Sequence, residues 1–153
     1  MDERDGDHWL WRLEASGWLD AAAQELERGE AALAQRRTAI THARRAAGMA
    51  LNAVLVDRVA RGDSPGRSEA IWGRSYIDHL RTLADPQLDP DRRAPFDEGF
   101  ARACAELLAI PVMAPTNLVR IARSRDEAAS SALALARELV RACEAQVARP
   151  AAS

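Results

Sequence analysis

The sequence predicts an all-α protein, and three of its features do so. Of 153 residues, 33 are Ala, and all 21 basic residues are Arg, with no Lys. Ala, Leu, Arg and Glu are strong helix formers, whereas the aromatic residues favoured in strands make up only 5%. Apolar residues also recur at three- and four-residue spacing through long segments punctuated by Pro and Gly. The length is that of one ordinary domain. The expected architecture is an up-and-down bundle of four to five helices.

From His8, the run HWLWRLEASGWLDAAAQELERGEAALAQRR predicts a short helical turn, a break at Ser16–Gly17, and a helix to about Arg37. Its apolar stripe is Trp18, Ala22, Leu26 and Leu33, and the Trp9, Trp11 and Trp18 set is expected to cap the bundle. A long second helix follows from about Thr38 to Arg61, with Ile40, Ala43, Ala47, Leu51, Val54 and Leu55 as its core face. GDSPGRS (62–68) ends it, and Ser68 offers an N-cap for a third helix, EAIWGRSYIDHLRTLA, with Ile71, Tyr76 or Ile77, Leu80 and Leu83 inward. DPQLDPDRRAP (85–95), with three Pro, reads as a loop. A fourth helix runs from about Phe96 to Ala109, with Phe100, Cys104, Leu107 and Leu108 inward, and IPVMAPTN (110–117) breaks it. The last helix begins at Leu118 or Asp126 and ends near Val147.

Small side chains let helix axes approach closely but bury little area each, so such a chain gains from a dimer interface. Cys104 and Cys143 lie among Ala and Leu and read as small core residues. The N-terminus MDERDGDHW lacks the basic and apolar regions of a signal peptide, and no apolar run reaches membrane-spanning length. The expected location is cytoplasmic, with no membrane partner.

Net charge is −2, which excludes a polybasic nucleic-acid-coating protein. Its distribution is uneven, however. Residues 1–30 carry nine acids against three Arg, and residues 31–61 carry six Arg against Asp57 alone. This contrast reads either as salt bridges between the first two helices or as a local anion-binding face, since Arg is suited to bidentate phosphate contact.

The catalytic inventory is short. There are three His (8, 42 and 79), no HExxH, GxSxG, Walker or dinucleotide motif, and no ExxH pair, so neither a metal nor a cofactor is expected. What remains is Arg combined with His. WGRSYIDHLRTLA holds Arg74 and His79 with four residues between them, while Arg37 and Arg36 precede His42 at similar spacing.

In the third helix, Arg74, the polar Ser75 and then His79 resemble the signature of the HEPN superfamily, the higher-eukaryote and prokaryote nucleotide-binding domains. THARRAAGMALNAVLV is similar to that family's second helix, and DHLRTLA resembles its stretch of His, an acidic residue and Leu. The resemblance spans residues 17 to 110 and extends to the last helix, implying one HEPN-like domain over residues 8–149 with flexible termini at 1–7 and 150–153. The family's position for the pair selects Arg74 and His79, although Ser75 stands where active members commonly carry Asn or another strongly polar group.

The resemblance implies a metal-independent ribonuclease or toxin-like component, acting on RNA or a nucleotide as a homodimer beside a nucleotidyltransferase-type partner. His79 would serve as general acid or base, and Arg74 would stabilise phosphoryl charge. Their side chains lie about 140° apart on an ideal helix, so one site needs a distorted start at Gly73 or residues from two chains. Ser75, Arg45, Asn52 and His42 are candidate substrate-binding residues; Arg45 and Asn52, seven apart, share a helix face. The alternative is a non-catalytic helical domain binding a nucleotide or a partner protein, with Arg74–Asp78 an ordinary i,i+4 ion pair and His79 held by Ser75. Arg120, Arg123 and Arg125 form a small basic cluster read as solvated.

Overall fold

A computed structural model describes residues 9–65, 76–89, 96–112 and 118–148. Over these residues the chain is a bundle of α-helices: α1 (Ala15–Ala31), α2 (Arg36–Ala60), α3 (Tyr76–Ala84), α4 (Glu98–Ala109) and α5 (Leu118–Ala148). A 3-10 turn, Trp9–Arg12, precedes α1. No strand occurs among the described residues.

The second helix is the centre of the fold. It packs against α1, α5, α3 and the 3-10 turn, while α4 joins α3 to α5. Every residue from Ala46 to Leu55 is buried, so α2 is enclosed on all sides over nearly three turns. Only a helix made largely of Ala, Gly and modest aliphatics can be surrounded so closely, because larger side chains would hold its neighbours apart. All six residues expected on its core face are buried. On α5 the buried stripe is Ala129, Ala132, Leu133, Ala136, Leu139, Val140 and Cys143, at spacings of three and one.

Several expected boundaries move. Helix α1 runs through Ser16 and Gly17, and the break falls earlier, between the 3-10 turn and Ala15. There Trp18 Nε1 donates to the Leu10 carbonyl at 3.0 Å, anchoring the turn on α1. Trp18 is buried and Trp11 partly so, whereas His8 and the Trp9 side chain lie outside the described residues.

Nor does α1 continue to Arg37; it ends at Ala31, and α2 starts at Arg36. Residues 32–35 reverse the chain with bonds from Ala32 N to the Arg28 and Gly29 carbonyls and from Gln35 N to Ala32 O. Leu33, expected inward, sits in this turn and is exposed. The ends of α4 follow expectation more closely: Asp97 caps it by accepting from Phe100 N at 2.8 Å. Leu80, Leu83, Phe100, Cys104 and Leu107 are buried as expected, and Leu108 is half-buried. The expected start of the third helix, with Ile71, and parts of the three loops lie outside the described residues, as do the side chains of Tyr76, Ile77, Arg120, Arg123 and Arg125.

Candidate functional site

Arg74 and Ser75 lie outside the described residues. His79, on α3, is 1% exposed and sits beside the buried Leu80. Asn52 is 0% exposed in the enclosed middle of α2, and neither its side-chain oxygen nor its nitrogen has a hydrogen-bond partner. Arg45, expected on the same face, is half exposed. Seven residues do bring two side chains to one face of a helix, but the face passes from the rim of the bundle at Arg45 into the core at Asn52.

The described residues that gather exposed Arg and His chemistry lie on the seam between α1 and α2. At its base is Glu25, a carboxylate only 2% exposed. His42 Nδ1 lies 2.5 Å from Glu25 Oε2. Arg28 NH1 donates to Oε1 at 3.0 Å, and Arg45 NH2 lies 3.6 Å from the same oxygen. A buried carboxylate is tolerated only with such partners, and three groups with donors converge on this one.

Local sequence explains the convergence. Glu25 and Arg28 are i,i+3 on α1, and His42 and Arg45 are i,i+3 on α2, so each helix presents a pair to the other. Gly29, one turn beyond Glu25, permits the close approach: a Cβ there would stand 3.3 Å from His42 Cβ and 2.6 Å from Leu133 Cδ2. An ionised carboxylate only accepts, so Nδ1 carries the proton shared with Glu25. Nε2 then remains for another partner on a side chain that is 22% exposed.

Sequence reading selected His42 and Arg45 but missed Glu25 and Arg28. The signal was present. Glu25 falls three residues after Ala22 in the inward stripe of α1, where a carboxylate demands a cation from the neighbouring helix.

The remaining Arg of α2 are largely engaged with backbone or local acids. Arg44 NH2 donates to the Leu108 and Ile110 carbonyls at 3.1 and 2.9 Å, and Arg36 Nε donates to Pro111 O at 2.8 Å. Together they bind the carbonyl end of α4, where positive charge is favoured. Burial and, secondarily, Arg81 hold the Arg44 guanidinium below its usual range. Arg58 pairs with Asp63, and Arg61 with Asp57.

No thiol chemistry is set up here, because burial pushes Cys104 up to about 12 and raises Cys143 well above the ordinary thiol value. Among the described residues no helix is long and apolar enough to cross a membrane. No known family, curated protein or solved structure matches the chain.

Proposed function

We propose that this chain is a HEPN-like helical domain that acts by binding a nucleotide or a partner protein, as a homodimer, and does not cut RNA. The observation that carries this reading is the seat of His79. A general acid or base must come within hydrogen-bond reach of the proton it moves. A side chain 1% exposed within its own bundle offers a substrate no such approach. The HEPN-like part of the reading rests on the helical bundle together with the THARRAAGMALNAVLV and DHLRTLA segments.

One observation favours a second reading, a metal-independent ribonuclease or toxin-like component. Glu25 orients His42 through Nδ1, and Arg45 reaches the same carboxylate. A carboxylate-held imidazole can take a proton from a ribose 2′-hydroxyl, and an adjacent Arg can stabilise charge on the phosphoryl oxygens.

Incubating RNA in EDTA with the wild type and with His42→Ala, His79→Ala and Arg74→Ala separates the readings. The binding reading expects no cleavage by the wild type. Cleavage lost in His42→Ala alone supports the second reading, with its site on α2. Cleavage lost in His79→Ala and Arg74→Ala overturns the inference from burial.

A further inference from the structure

We infer that the α1–α2 seam around His42 is a phosphate-binding site, formed by His42, Arg45 and Arg28 over the buried Glu25. This rests on the binding reading and names the chemical group that the binding would recognise. The charge balance comes first. Glu25 contributes one negative charge and is almost wholly buried, whereas Arg28 and Arg45 contribute two positive charges and are both more than 40% exposed. The solvent-facing side of the cluster is therefore cationic, with the one acid beneath it.

Donor supply comes second. A guanidinium has five N–H donors. Arg28 gives one to Glu25 at 3.0 Å, and Arg45 reaches Glu25 only at the long distance of 3.6 Å, so most donors of both remain for a ligand. His42 adds the third contact. Its Nδ1 is committed to Glu25, and among the described residues Nε2 has no hydrogen-bond partner, on a side chain that reaches solvent. As imidazolium, Nε2 donates to a phosphate oxygen; as neutral imidazole, it accepts from the O–H of a hydrogen phosphate. Either way a phosphate over Glu25 draws on one ring nitrogen and on the guanidinium groups of Arg28 and Arg45, each of which reaches that same carboxylate, and charge-assisted contacts are the strong ones.

Glu25 is then a positioning residue. It holds His42 and Arg28 at fixed distances, and the absence of a side chain at Gly29 lets His42 on α2 come close to α1. Of the other α1 acids, Glu30 is drawn away by Arg137 on α5.

The test is a titration of the full chain with inorganic phosphate, adenosine 5′-monophosphate and adenosine, followed by calorimetry for the wild type and variants and by the ring ¹⁵N resonances of His42 where that residue is present. Phosphate and the monophosphate are expected to shift Nε2, and adenosine is not. Tighter binding of the monophosphate than of phosphate identifies a nucleotide as the source of the group; equal binding identifies free phosphate. Arg45→Gln, at a half-exposed position, and His42→Gln should each weaken binding about tenfold with the helical circular dichroism retained. The site is overturned if phosphate leaves the His42 resonances unmoved, or if both folded variants bind as the wild type does. A nucleotide bound equally well by the wild type and both variants would overturn this site while leaving the binding reading intact.

Discussion

Two buried polar residues carry opposite consequences for stability. Glu25 is satisfied by His42, Arg28 and Arg45, so Glu25→Ala removes the acceptor and leaves these donors converging with like charge. The expected loss is about 2–4 kcal/mol, read from urea unfolding with an unchanged slope. Asn52 is the reverse case: its amide is buried with no hydrogen bond at either atom. Asn52→Leu, which keeps the branching and heavy-atom count while removing the polar atoms, is expected to raise stability by roughly 1 kcal/mol in the same experiment. A loss instead would show that something satisfies the amide. Sequence alone pointed to Asn52 as a ligand contact, because i,i+7 spacing places it beneath Arg45. Spacing gives the face of a helix but not how far along its length that face remains at the surface. For His79 the same limit held: its position in the motif was legible, and its depth was not.

At the scale of elements, the helices of this bundle were legible wherever breakers bound them, and much less so elsewhere. Pro111 and the Asp97 cap delimit α4, and its boundaries came within two residues. The turn at residues 32–35 contains only Ala, Leu and Gln, all compatible with helix, so nothing local announces it. It exists because α1 and α2 bury more surface side by side than as one continuous helix, an instance of packing overriding propensity. Gly29 is the contact that makes the pairing close. Gly29→Ala adds a methyl that meets the fully buried Leu133 and presses on His42. The ordinary helical gain from Ala is outweighed, and a net loss of about 1–3 kcal/mol is expected on chemical unfolding. A more stable Gly29→Ala variant would show that the seam can open at no cost.

For the molecule as a whole, the all-α class followed directly from 33 Ala, 21 Arg and few aromatics. What composition concealed was the use of those Arg. The opposed charges of the first two segments read either as interhelical salt bridges or as an anion-binding face; Arg36 and Arg44 bind the carbonyl end of α4, and Glu25 is the acid of α1 that draws together α2's His42 and Arg45. The two thiols report on the integrity of this packed whole. With Cys104 raised to about 12 and Cys143 raised well above the ordinary thiol value, chiefly by burial, both should resist a thiol reagent at pH 8 until the bundle unfolds. Because the folded state keeps them protonated, stability should fall as pH climbs from the unfolded thiol range near 9.0 toward about 12, where the unfolded chain releases protons that the native chain retains. Rapid native-state labelling would contradict the tight α4–α5 packing.

On the proposed reading the bundle binds its ligand and does not cleave RNA, because His79 is closed inside it. The most direct measurement is the cleavage of RNA in EDTA by the purified wild type beside His79→Ala. Intact RNA is expected with both proteins; cleavage by the wild type that disappears in a folded His79→Ala variant would overturn the proposed reading.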